Sequence, residues 1–144
     1  MEGSSTRVGS MLNLLVVDDD SVDLMTVKRG LLRAGISHRL SEAKDGAEAL
    51  AVLRGDSMPS QRRLVLLDLK LPRMDGLEFL KQLRADPQLA STPVVIITTS
   101  SQEKDRKEAH RLNVAGYFVK SLDFENFVEL LVIIDRYWSA TLYA

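Results

Sequence analysis

The chain has 144 residues, of which 45% are hydrophobic, and its nineteen Lys and Arg against twenty Asp and Glu leave a net charge of −1. That length suits one domain able to bury roughly 68 to 70% of the surface its unfolded chain exposes; the near-neutral charge argues against nucleic-acid binding through bulk electrostatics, and the absence of Cys excludes a disulfide framework, a thiolate nucleophile and a Cys-ligated zinc site. Apolar runs of about six residues fall far short of the ~20 that a bilayer crossing needs, and residues 1–10, without the apolar core of a signal peptide, read as a flexible tail on a cytoplasmic domain.

Leu12 to Val17 is a short apolar run that ends on Asp18 and Asp19. Ser21 is the predicted N-cap of a helix to about Arg33, with Val22, Met25, Leu31 and Leu32 toward the core and Gly35 as its stop. Asp20 and Asp23 read as cap and first-turn acids of that helix. A strand over Arg39 to Ala43 comes next, then Asp45-Gly46 as a turn into a helix from Ala47 to Arg54. After the polar loop Gly55 to Gln61, the run Leu64 to Leu67 ends on Asp68. Pro72 and Gly76 punctuate the following loop, where Asp75-Gly76 reads as a turn, and a helix runs from Leu77 to Arg84. Val94 to Ile97 ends on Thr98, Ser101 to Leu112 has helical composition, the strand Ala115 to Val119 ends on Lys120, and the last helix spans Phe124 to Ala140. His38 and His110 have no partner at metal-ligand spacing and read as surface residues.

Short strands rich in Val, Ile and Leu, alternating with helices, predict a parallel α/β sandwich with right-handed crossovers. In such sheets the chemistry gathers beyond the carboxyl ends of the strands. Three carboxylates, a hydroxyl and an ammonium would converge there, the make-up of a site that takes up a phosphoryl group.

Four segments, in order, carry a resemblance to a known family: Leu14-Leu15-Val16-Val17-Asp18-Asp19-Asp20, Leu64 through Gly76, Pro93 through Ser100, and Gly116-Tyr117-Phe118-Val119-Lys120. Over Leu12 to Trp138 the chain resembles the receiver domain of two-component response regulators. The resemblance implies a flavodoxin-like, CheY-like doubly wound sheet of five parallel strands in the order 2-1-3-4-5, with helices on both faces. It implies that Asp68 accepts a phosphoryl group from the phosphohistidine of a sensor histidine kinase. Asp18, Asp19, Asp68 and the backbone carbonyl of Lys70 would hold Mg2+, with Mn2+ as a substitute. Lys120 would meet a phosphate oxygen, Thr98 would donate a hydroxyl, and Thr98 with the ring of Tyr117 would form the switch. The surface that changes would be the face of the last two helices and the fifth strand. One departure stands at Ser121, where the family carries a proline in a cis peptide. A non-proline cis bond costs ~2.5 to 4 kcal/mol, so the Lys120–Ser121 link is open between cis and trans.

In the last helix Phe127, Leu130, Leu131, Ile134 and Trp138 form a core stripe. Phe124, Val128, Val132, Ile133 and Tyr137 widen the apolar arc beyond one face and predict a homodimer through a face that includes this helix. With the chain ending at Ala144, the expectation is a receiver with no output domain attached, acting on a downstream protein target. Asp68 through Arg73, Thr98 through Ser101 and the aromatic last helix look most like the small regulators that accompany phytochrome-type kinases. Three other readings compete. A Mg-dependent aspartyl-phosphate phosphatase would need a second acid soon after the nucleophile, where Leu69 and Lys70 stand. A flavodoxin would not place Asp18-Asp19-Asp20-Ser21 against a phosphate. A non-phosphorylated adaptor needs none of these residues.

Overall fold

The computed structural model describes residues 11–120 and 123–140, without the side chains of residues 138–140. The tail over residues 1–10, the Lys120–Ser121 link and the side chain of Trp138 therefore lie outside the described residues. Ten elements alternate: β1 (Leu12–Val17), α1 (Ser21–Ala34), β2 (His38–Ala43), α2 (Gly46–Arg54), β3 (Arg63–Leu67), α3 (Gly76–Ala85), β4 (Val94–Thr98), α4 (Glu103–Arg111), β5 (Gly116–Val119) and α5 (Phe124–Ala140). All strand pairs are parallel and the order is β2-β1-β3-β4-β5, as the resemblance implies.

The two-residue period of the strands builds two cores from one sheet. Leu15, Val17, Val65, Leu67, Val94 and Ile96 face α2 and α3 on one side, where Leu50, Leu53, Phe79, Leu80 and Leu83 meet them. Leu12, Leu14, Val16, Leu64, Leu66 and Val95 face α1 and α5, meeting Val27, Leu31, Phe127, Leu130, Leu131 and Ile134. The central strands are buried on both faces, which is why they read as continuous apolar runs.

Helix α1 departs from expectation at its start and along its face. Its N-cap is Asp20, not Ser21: the Asp20 backbone is extended and its Oδ1 accepts from the Val22 N–H at 2.8 Å and the Asp23 N–H at 3.4 Å. Gly35 is the stop, in the left-handed conformation at φ 70°. Of the four residues assigned to the core, only Leu31 is there; Val22, Met25 and Leu32 are 68%, 60% and 77% exposed. The buried face is Val27, Gly30 and Leu31, and Gly30 sets it. A Cβ at Gly30 would stand 2.8 Å from Leu131 Cδ1 and 3.0 Å from the Phe127 ring, so α5 packs where α1 has no side chain. A count of apolar residues gives no weight to glycine and turns the helix the wrong way.

In α5, Phe127, Leu130, Leu131 and Ile134 are buried as the stripe predicts, joined by Val128, while Ile133 and Tyr137 are 63% and 62% exposed. Arg29 lies 4.9 Å over the Phe124 ring and Arg33 pairs with Glu125, fixing the start of α5 against α1. Among the described residues no helix is long and apolar enough to cross a membrane.

Candidate phosphoryl-acceptor site

Pairing of β1 with β3 sets Val17 opposite Leu67, so the next residues, Asp18 and Asp68, leave adjacent strands side by side. Each then closes a turn on its own backbone: Asp18 Oδ1 accepts from the Asp20 N–H at 3.0 Å and Asp68 Oδ1 from the Lys70 N–H at 3.0 Å. The Oδ1 atoms being held, each Oδ2 is left to face the sheet edge. Pairing of β4 with β5 brings Lys120 beside Thr98, whose carbonyl accepts from the Lys120 N–H at 2.7 Å. The Lys120 side chain crosses the edge, and its Nζ donates to Asp18 Oδ2 at 2.9 Å and Asp68 Oδ2 at 2.8 Å.

The third N–H of that ammonium goes to Asp23 Oδ2, at 2.5 Å. Asp23 is in the first turn of α1, as expected, but its carboxylate is part of the site and not simply a helix-start acid. Helical side chains tilt toward the N-terminus, and α1 begins at the sheet edge that carries Asp18, so Asp23 is carried back over the strand ends. That direction is a signal the sequence held. Carboxylate oxygens of Asp18, Asp23 and Asp68 lie within 4.8 Å of one another. With Lys120 they line a cavity of about 360 Å³ that runs down between α1, the sheet and the start of α5, past Thr26, Val27, Ile97 and Phe127.

The loop that carries Lys70 and Asp75 is held from below. Asp75 caps α3, its Oδ1 accepting from the Glu78 N–H at 2.9 Å. Gly76 is required there, since a Cβ would stand 2.5 Å from the Asp68 carbonyl oxygen and 2.6 Å from Leu69 Cα, both backbone. Arg73, in the left-handed region at φ 58°, pairs with the buried Asp45 that caps α2. Asp75-Gly76 is thus the cap and first residue of α3 and not the turn the sequence predicts, and it fixes the path of the segment next to Asp68.

Asp19 and Lys70 stand apart from the ammonium cluster. Both are exposed, and with Leu69, Leu71, Pro72 and Asp75 they line a second hollow. Thr98 is fully buried, its Oγ1 accepting from the Ser100 N–H at 3.3 Å. Tyr117 is half-buried and its hydroxyl donates to the Ser100 carbonyl at 3.0 Å, which ties strand β5 to the turn after Thr98. Burial pushes the Tyr117 phenol up from its ordinary value despite that bond.

Burial opposes the charge on Lys120, but its bonds to Asp23, Asp68 and Asp18 outweigh that and raise its pKa well above the ordinary lysine range. Burial also raises the Asp18 pKa, against the pull of the Asp20 N–H and Lys120. A carboxylate whose folded pKa lies above its unfolded one costs nothing below about pH 4, and destabilises increasingly as the pH rises past that value. Asp18→Asn should therefore lie closest to the parent in stability near pH 4 and exceed it at pH 7. Urea unfolding at the two pH values checks this; an equal or lower stability at pH 7 would show that Asp18 is not a strained charge.

Three carboxylates face one ammonium, a formal excess of two negative charges supplied by hard oxygen donors. Of these, Asp18 and Asp68, with the exposed Asp19 and the loop of Lys70 beside them, offer hard oxygen donors that fit a small divalent cation of the Mg2+ or Mn2+ kind.

The chain matches the family model described as the response regulator receiver domain over residues 14–132. It is similar to a probable methanogenesis regulatory protein, FilR2, of Methanothrix harundinacea, with 37% identity over 87% of this chain and 82% of that one. It is 35% identical to the response regulator Rcp1 of Synechocystis, over 89% of each chain. Among solved structures, the phosphorylated cyanobacterial phytochrome response regulator RcpA superposes with a TM-score of 0.78 at 31% identity, covering 92% of this chain and 97% of that one. The Mn2+-bound form of Rcp1 gives 0.75 at 32% identity, over 92% and 97%.

Proposed function

The chain belongs to the response regulator receiver domain family, and from that premise we propose that Asp68 accepts a phosphoryl group from the phosphohistidine of a sensor histidine kinase in a Mg2+-dependent reaction. The observation that carries the reading is the Lys120 ammonium held 2.8 Å from Asp68 Oδ2, at the one sheet edge where Asp18 and Thr98 also end their strands. An Asp68 oxygen attacks phosphorus, the P–N bond breaks, and the imidazole nitrogen keeps the bonding pair. An acyl phosphate results. Asp18, Asp19, Asp68 and the Lys70 carbonyl would hold Mg2+, which when bound would neutralise charge on the transferring group. Lys120 meets a phosphoryl oxygen, and Thr98 turns its hydroxyl toward another. That movement loosens the bond from the Ser100 N–H to Thr98 Oγ1, and because the Tyr117 hydroxyl donates to the carbonyl of that same Ser100, Tyr117 is the second half of the switch.

The kinase belongs to the phytochrome type in this reading, supported by the likeness to the cyanobacterial phytochrome response regulator RcpA and to the bacteriophytochrome response regulator RtBRR, which is 35% identical with a TM-score of 0.71. Transfer places the protein with the kinase's cytoplasmic, ATP-fed domains. Val22 and Met25, exposed on the first two turns of α1 beside Asp18, offer that kinase an apolar contact. Transfer from a phosphorylated phytochrome kinase should be fast for the parent and at least about tenfold slower for Val22→Asp, while labelling by acetyl phosphate stays equal in the two. Equal kinase rates would remove α1 from the docking surface, and transfer from an unrelated kinase alone would remove the phytochrome partner.

A homodimer through the face that includes α5 belongs to the same proposal, carried by the exposed Ile133 and Tyr137. Sedimentation at tens of micromolar should show a dimer that Ile133→Glu dissociates, a loss of about 2 kcal/mol or more. A monomeric parent, with and without a phosphoryl analogue, would end it. The downstream target would be a protein that reads the α4, β5 and α5 face.

A further inference from the structure

An ammonium has three N–H donors, and in Lys120 all three are taken by carboxylates before any phosphoryl group arrives. For Lys120 to meet a phosphoryl oxygen, one of them must be given up. Asp68 passes its charge to the phosphoryl oxygens when it is phosphorylated, and the ammonium must follow that charge against the two carboxylates that still hold it; of these Asp18 is the poor one to release, since its side chain is 8% exposed and leaving it unpaired would strand a buried charge. Asp23 differs on each count. Its side chain is 35% exposed, so water can replace the ammonium. Among the described residues neither of its oxygens accepts from a backbone N–H, whereas Asp18 and Asp68 are each tied through Oδ1. The cavity that Asp23 and Lys120 both line gives the four-carbon stem space in which to swing.

We propose that Asp23 is a positioning residue that parks the Lys120 ammonium and competes with the phosphoryl group for it. This rests on the phosphoacceptor reading of Asp68. Asp23 weakens the phosphorylated state twice over, since it holds the donor that the phosphoryl oxygens need and it adds a negative charge near a dianion. In return it keeps the empty site ordered, with Lys120 fixed against Asp68. It touches the phosphoryl group in neither state; its effect passes through Lys120.

Beryllofluoride, which adds to a carboxylate oxygen in the manner of a phosphoryl group, reads this directly. Its affinity is measured by fluorine NMR titration at saturating Mg2+ for the parent, Asp23→Asn, Asp23→Ser and Asp23→Glu. Both neutral variants should bind it about three- to tenfold tighter, and Asp23→Glu, which restores the charge, should return to within about twofold of the parent. A helix-start acid with no other role would change melting temperature and leave these affinities alike. A metal ligand would make the neutral variants bind more weakly. Either result overturns the proposal while leaving Asp68 as acceptor, whereas a parent that binds no beryllofluoride at all would take down the acceptor reading itself.

Discussion

Asp68→Asn should take up no phosphoryl group from acetyl phosphate with Mg2+ present, under conditions that label the parent to completion by intact mass. The loss is expected to be at least ~10³-fold, because a carboxamide oxygen carries no charge with which to attack phosphorus and the site offers no second nucleophile in the same place. The substitution is otherwise mild. The Asn carbonyl oxygen can still accept from the Lys70 N–H, and the side chain fills the same volume at a position 6% exposed. Removing one of three clustered carboxylates also lowers their mutual repulsion, so the variant should be folded and at least as stable as the parent. Loss of labelling in a protein that melts no lower than the parent would separate chemistry from misfolding. Retained labelling would move the acceptor to Asp18, Asp19 or Asp23. The competing readings are sorted by the same samples: a phosphatase would turn over a phosphate ester continuously, whereas an adaptor would leave the parent unlabelled.

The strands were legible because burial on both faces removes polar residues from them, and each ends where the first polar side chain must reach the sheet edge. Asp18, Asp68, Thr98 and Lys120 were found by that rule, and the register of β1 with β3 and of β4 with β5 places them as the rule requires. What failed to show was whatever depends on direction around a helix. Asp23 reads as a first-turn acid because a linear count gives its distance from the cap but not the tilt that aims it at Lys120. Val22, Met25 and Leu32 read as core because Gly30, the residue that lets α5 approach, has no hydrophobic weight at all. Helix α5 was easier, since Phe127, Leu130, Leu131 and Ile134 mark their face by bulk. The separation of Asp19 from Asp18 was hidden for a related reason: adjacent residues leaving a strand point to opposite sides, one into the ammonium cluster and the other outward beside Lys70.

Lys120→Met, which keeps the apolar stem and removes the charge, should have the largest effect on stability of any single change in the site. Asp18, Asp23 and Asp68 would be left facing one another without their shared partner, and breaking a buried ion pair of this kind costs roughly 3 kcal/mol at neutral pH. The pH dependence has a definite sign. Asp18, whose carboxyl burial already holds above its ordinary value, would lose the Lys120 bond that pulls it back down, so the deficit should be small near pH 4 and should grow as the pH rises. In the parent, Lys120 has a raised pKa, and its contribution persists across that whole range and is lost only as the pH passes upward through the folded value. Mg2+ supplies the test that a simple packing defect would not pass. A cation that binds only the folded state adds about 2.7 kcal/mol when present at a hundred times its Kd, and the variant, with more uncompensated negative charge, should bind it more tightly than the parent. Urea unfolding in EDTA and in Mg2+, at pH 4 and pH 7, should show the deficit at pH 7 largely recovered by the metal. Phosphorylation by acetyl phosphate should meanwhile fall about 10²-fold, because the metal could replace the charge that Lys120 gives the empty site but not the N–H donor that the proposed reaction asks of it. A deficit equal at both pH values and indifferent to Mg2+ would mean that the stem of Lys120, and not its charge, holds the strand ends together.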